Sequence, residues 1–165
     1  MSGEEKNIYR QAREAAGLSR EEASEKLGIM SVDRIGRIEN EVYPPYPNEA
    51  LMMAKVYREP SLCNYYCAQE CPIGQQYVPE IKLKALSQIV LEVLSSLHAM
   101  ERNTSKFVDI AVDGNISDDE LADFVEIQRN LERISVTVET LQLWSEQMLA
   151  TGKINTEKYK ALTKK

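Results

Sequence analysis

The sequence predicts an all-α protein, and three observations carry that reading. Apolar residues recur at spacings of three and four along most of the chain, strand-like alternation is nearly absent, and 7 Gly and 6 Pro in 165 residues leave helix breakers few and clustered. A hydrophobic content of 43% is enough to bury a core and argues against a chain that is disordered throughout.

The elements follow in order. A first helix is expected from about Lys6 to Ala16, with Ile8, Ala12 and Ala15 on one side and Gly17 past its end. Ser19 followed by Glu22 has the spacing of a capping box, in which each side chain takes the other's backbone N–H; a second helix therefore starts there and stops at Gly28. Ser31 or Asp33 caps a third helix whose Ile35 and Ile38 face inward and which ends near Asn40. "YPPYPN" (Tyr43 to Asn48) reads as a rigid extended loop, because proline disfavours helix in the residue before it. Asn48 is expected to cap a fourth helix reaching Tyr57 through Leu51 and Ala54, and Ser61 restarts a fifth. "CPIGQQYVP" breaks the pattern and places a boundary between Pro72 and Pro79.

Beyond it, Leu83, Leu86, Val90, Val93, Leu97 and Met100 form the stripe of one amphipathic helix over roughly Glu80 to Arg102. A short helix from about Ser105 to Val112, the turn "DGN" and a second capping box, Ser117 with Glu120, lead into a long helix ending near Ala150. In the long helix Ile127, Leu131, Ile134, Val138, Leu141 and Met148 recur in steps of four and three with Ser145 in the gap, the seam of a coiled coil or helical hairpin. Such a helix spans roughly 50 Å and needs a partner helix to cover its stripe, from its own chain or a second copy.

Charge weighs against an indiscriminate nucleic-acid binder. The net charge is −6. Residues 1–60 hold nine Lys and Arg against eleven Asp and Glu, and residues 61–165 hold eleven against fifteen, so any basic face must be local. The polar start "MSGEEKNIYR" and the lack of a long apolar run predict a cytoplasmic protein that does not enter a membrane. Three cysteines, an odd number in one cluster, fit a reducing compartment better than a disulfide framework.

"REAAGLS", "EEASEKLGI" and "IGRIEN", followed by a proline-bearing loop and "ALMMAKVY", together resemble the Xre/Cro type of helix-turn-helix, the lambda-repressor-like domain. The resemblance covers less than half the chain. It implies five compact helices, with the third lying in the major groove of double-stranded DNA and a dimer presenting two such helices. Ser31, Val32, Asp33, Arg34 and Arg37 are the candidate contacts on the third helix, and Arg20 at the start of the second is a candidate backbone anchor. Gly28 to Glu39 is one residue longer than the family's usual turn, and Ser24 stands where alanine is common. The organisation expected is then a DNA-binding domain at 1–72, a helical dimerisation or interaction domain at 80–152 and a charged tail at 153–165.

Two further motifs carry weaker chemistry. Cys63, Cys67 and Cys71 lie at i, i+4 and i+8, on one side of a helix, where thiolates could hold zinc or part of an iron–sulfur cluster, act as a redox sensor or simply pack a core. No fourth ligand is near them, His98 being a whole helix away, and no metal or cofactor is expected. "DIAVDGNISDDE" (Asp109 to Glu120) matches a calcium loop at several positions but carries Ala111 at a ligand position, so a plain interhelical turn is the simpler reading. No phosphate-cradling loop, nucleophile elbow or His-Glu zinc motif is present, and an enzyme is not expected. The function expected is a sequence-specific transcriptional regulator acting as a dimer. The alternatives are a protein-binding adaptor on the same fold and a metal- or redox-responsive regulator.

Overall fold

A computed structural model describes residues 7–163, without the side chains of Ala111 and Asp113. Every regular element among the described residues is helical. The chain divides into two compact units, one holding residues up to Lys82 together with those from Ser145 onward, the other Leu83–Trp144. The end of the long helix and the tail beyond it thus group with the N-terminal elements.

The first unit is built from α1 (Ile8–Ala15), α2 (Arg20–Leu27), α3 (Val32–Glu39), α4 (Pro47–Tyr57) and α5 (Ser61–Tyr65). Lys6, the expected start of α1, lies outside the described residues; Asn7 caps the helix by accepting the Tyr9 N–H at 3.0 Å. The capping box at Ser19 forms in both directions, Glu22 N–H to Ser19 Oγ at 3.1 Å and Ser19 N–H to Glu22 Oε2 at 2.8 Å. Gly28, at φ +68°, then ends α2 in the left-handed conformation that a side chain would strain. α4 begins one residue earlier than its expected cap. Pro47 occupies the first turn, where its missing N–H is no loss, and the Glu49 carboxylate accepts the Tyr46 N–H at 2.7 Å. One core joins these helices: Tyr9, Leu27, Ile35, Ile38, Met53 and Leu62 are each at most 2% exposed. At about 1.5–3 kcal/mol per buried large apolar side chain, this burial is the dominant stabilising contribution.

After α5 the helix widens into a π turn, Tyr66–Glu70, and the segment expected to be a plain break contains a one-turn helix, α6 (Gly74–Tyr77). Helix does not resume at Glu80 as the periodicity predicts. The Asn64 side chain donates to the Pro79 carbonyl at 3.0 Å and accepts the Ile81 N–H at 2.8 Å, holding that stretch extended. α7 therefore starts at Leu86 and runs to Arg102.

In the second unit α7 is followed by α8 (Thr104–Asp113) and by α9 (Leu121–Ala150), whose last residues belong to the first unit. The buried faces differ from the expected stripes. α7 buries Ile89 and Ser96, while Leu83, Leu86, Val90 and Leu97 are exposed. α9 buries Ile127, Asn130, Thr137, Thr140 and Leu143, while Leu131, Val138 and Leu141 are exposed. The threonines go inside because each hydroxyl donates to the carbonyl four residues back, Thr137 to Arg133 and Thr140 to Val136, both at 2.7 Å. Leu131 and Val138, at 45% and 55% exposure, are seam positions that lie on the surface among the described residues. The tail carries a further helix, α10 (Thr156–Thr163).

Candidate nucleic-acid interface

The site is assembled on α3. Ser31 caps it by accepting the Arg34 N–H at 3.2 Å, and Ile35 and Ile38, at 0% and 2% exposure, fix its inner face in the core. The longer turn before it is tied down by Ser24, whose hydroxyl donates to the Met30 carbonyl at 2.7 Å. A serine where alanine is common thus holds the extra residue in place. With the inner face locked, Ser31, Val32 and Asp33 are exposed at the start of α3 and Arg37 is exposed in its last turn. Asp33 and Arg37 pair along it at 2.9 Å with side chains 74% and 54% exposed, an ion pair that water screens and that a nucleic acid can open at little cost.

The other two arginines are held differently. Arg34 is half-buried and donates to Glu49 through Nε at 3.0 Å and Nη2 at 2.6 Å, and to the Pro44 carbonyl at 3.0 Å. Its guanidinium also lies 5.0 Å from the centre of the Tyr46 ring. The hydrogen bond to Glu49 raises the Arg34 pKa further above its ordinary value. Arg34 so placed splints the proline loop to α3 and α4. Arg20 donates to Glu39 at 2.8 Å and lies over α3, its guanidinium 3.9 Å from where a Cβ on Gly36 would stand. Of the six residues expected to touch DNA, four are exposed, Arg37 among them in a screened pair with Asp33, and Arg20 and Arg34 are held by the buried carboxylates of Glu39 and Glu49.

Glu39 and Glu49, which hold those two arginines, were not apparent as part of the site. Burial alone would raise both carboxyl pKa values. The hydrogen bonds and charges of Arg13 and Arg20 outweigh it at Glu39, and those of Arg34 with the Tyr46 N–H outweigh it at Glu49, so both end below the usual range. The only sequence signal for Glu49 was its place three residues after Tyr46. The loop 41–46 also exposes Val42, Tyr43 and Tyr46 beside α3.

The remaining motifs are placed as follows. Cys63, Cys67 and Cys71 are free and half-buried along α5 and the π turn, and burial pushes the Cys63 thiol pKa up, away from the reactive thiolate. No group of three His, Cys, Asp or Glu among the described residues is arranged to hold a metal ion. Asp109 lies inside α8, which runs through to Asp113 before Gly114 turns left-handed at φ +71°. That leaves a loop of residues 114–120, too short for the twelve-residue calcium loop the sequence resembles. Glu120 there accepts both the N–H and the hydroxyl of Ser117, at 2.9 Å and 2.6 Å. No helix among the described residues is long and apolar enough to cross a membrane.

In comparison with known proteins, the family model described as helix-turn-helix matches residues 10–61. No curated protein and no solved structure matches the chain. The matched span runs from α1 to the start of α5, the elements that build the α3 face, and the N-terminal part of the chain is a helix-turn-helix domain of the Xre, lambda-repressor-like family.

Proposed function

We propose that the chain is a sequence-specific, DNA-binding transcriptional regulator acting as a dimer, with the exposed start of α3 as its reading surface and the helices of the second unit as its dimer contact. One observation carries the reading of DNA. α3 has its apolar side fixed in the core and leaves Ser31, Val32, Asp33 and Arg37 exposed, which can hydrogen-bond or pack against base edges. Arg20 and Arg34, held by Glu39 and Glu49, are the anchors whose charge phosphate can share. The exposed Leu86, Val90 and Leu97 of α7 and Leu131 and Val138 of α9 support pairing with a second copy.

The test is enrichment of genomic DNA fragments by the purified protein, followed by titration of the enriched fragment at two salt concentrations. One fragment bound with affinity falling steeply as salt rises is the expected outcome, and replacing both Arg34 and Arg37 by alanine removes it. Failure of the folded protein to enrich any fragment refutes the proposal.

A second reading, an adaptor that uses the fold to bind another protein, is favoured by a specific observation. Arg20, Arg34 and Arg37 all have carboxylate partners within the chain, and the net charge is −6. The same titration separates the two, since an adaptor shows no salt-dependent DNA affinity.

A further inference from the structure

We propose that a cavity of about 510 Å³ within the first unit is a binding site for a small carboxylate that also carries a hydroxyl or amino group. Its walls come from α1, α4 and the end of α9, with Ala12, Ala15 and Val56 forming an apolar side. The volume falls in the range of roughly 300–1,000 Å³ typical of small-molecule sites.

The polar groups define the ligand. Among the described residues, two buried side-chain atoms lack a hydrogen-bond partner, the Tyr57 hydroxyl and Gln147 Oε1, and both residues line this cavity. Two orphans at one place are unusual, because buried polar groups are nearly always satisfied. The Gln147 amide is oriented by its other end, where Nε2 donates to the Arg58 carbonyl at 3.4 Å, so Oε1 is left to accept from a ligand O–H or N–H. Tyr57 is 3% exposed, and burial raises the phenol's pKa, keeping the hydroxyl a donor. A carboxylate oxygen is its natural acceptor. The wall also carries Lys26 and Arg58 against one carboxylate, Glu59, which already accepts the Ser61 hydroxyl at 2.5 Å. This excess of positive charge favours an anion, and the apolar side favours a compact carbon skeleton.

Lys26 belongs to α2 and Tyr57 to α4, both within the helix-turn-helix match, so an occupant touches the elements that support the α3 face. Its role as an effector rests on the DNA-binding reading; its binding does not. Binding is therefore measured first without DNA, by calorimetry and thermal unfolding of the full chain. The probes are lactate, malate, glycine and glutamate, with acetate as the control that lacks the donor. At least one of the four is expected to bind with one site per chain and raise the melting temperature, with acetate at least tenfold weaker. Tyr57→Phe and Gln147→Leu, shown folded by circular dichroism, should each weaken that probe at least tenfold. No binding by any probe, or equal binding by wild type and both variants, overturns the site and leaves water as the partner of the two groups. Once a probe binds, a change of threefold or more in operator affinity supports the effector role, and no change removes that role alone.

Discussion

Arg13 and Glu39 form a bidentate pair between α1 and α3: Arg13 donates through Nε at 2.6 Å and Nη2 at 3.0 Å to the two oxygens of a fully buried carboxylate. Arg13 also donates to the Leu18 carbonyl at 2.6 Å, and Arg20 adds a third bond to Glu39, so the ion pair is embedded in a network. Removing one partner of such a pair leaves the other charged and desolvated, at a cost of about 3–5 kcal/mol. Glu39→Ala is therefore expected to lose roughly that much in urea unfolding, a large part of the 5–15 kcal/mol typical of a whole domain. A loss below about 1 kcal/mol would place the pair in water rather than in the core.

The same network sets an acid limit. Glu39 and Glu49 have folded-state pKa values below the ordinary 4.5, because their arginine partners favour the ionised form. Their stabilisation is complete above the unfolded value and is lost as pH falls through the folded values. Glu70 has the opposite sign. Burial and the charge of Glu41 raise its pKa despite the hydrogen bond from the Tyr9 hydroxyl at 2.9 Å, so its contribution is present below 4.5 and lost as pH rises through the folded value. Urea midpoints at pH 7, 5, 4 and 3 should fall below pH 4.5 in the wild type and fall less in Glu39→Gln, which starts lower. Equal pH profiles for the two proteins would contradict the assignment.

Arg34 and Arg37 lie one turn apart on α3 yet should behave differently. Arg37 is exposed and paired with the exposed Asp33, so Arg37→Ala is expected to leave stability within about 0.5 kcal/mol of wild type. Its loss should weaken operator binding and, if its contact is to phosphate, lower the salt slope by about 1. Arg34→Ala leaves the largely buried Glu49 carboxylate with the Tyr46 N–H but no cationic partner, removes the donor to the Pro44 carbonyl, and should cost about 1–3 kcal/mol of stability as well. Paired measurements of urea midpoint and DNA affinity check this, and an Arg34 variant of unchanged stability would make it a reader rather than a splint.

How much of this was legible in the sequence depends on the range of the interaction. Ser19 with Glu22, Ser31 with the Arg34 N–H, and Gly28 at the end of α2 are local events, and their residue types and spacings announce them. The ladder of Ile35 and Ile38 gave the inner face of α3 for the same reason. The pairings of Arg34 with Glu49 and Arg20 with Glu39 span fifteen and nineteen positions, and the same arginines read equally well as free DNA contacts. The late start of α7 depends on Asn64, which touches Pro79 and Ile81 only once the chain has folded back. In α9, periodicity marked Leu131 and Val138 as interior, but Thr137 and Thr140 satisfy their own hydroxyls and take the inside instead.

Those outward residues make the oligomeric state testable. Val90 and Leu97 on α7 are 45% and 52% exposed, and Leu131 and Val138 on α9 are 45% and 55% exposed. If a second copy covers them, the wild type sediments as a dimer. Replacing Val90 and Leu97 together by glutamate should then yield a folded monomer, because two charges per copy would have to be desolvated at the contact. A wild type that stays monomeric at high micromolar concentration would remove the second unit from the dimer proposal.

Gly74 offers a final test, of the π turn. A Cβ at this position would collide with the Cys67 carbonyl oxygen, and that oxygen belongs to backbone that a rotamer change cannot move. The π turn brings the carbonyl there, and the Gly74 N–H in turn faces Cys71 Sγ at 3.5 Å. Gly74→Ala must therefore push α6 away from Tyr66–Glu70, disturbing the Tyr66 carbonyl to Cys71 N–H bond of 3.0 Å that closes the turn. The expected cost is about 1–3 kcal/mol, the usual range for an overpacked site. Hydrogen exchange should localise it, with Cys71 N–H losing protection while the α3 amides keep theirs. Unchanged stability and protection in Gly74→Ala would mean that the segment packs more loosely than a glycine contact requires.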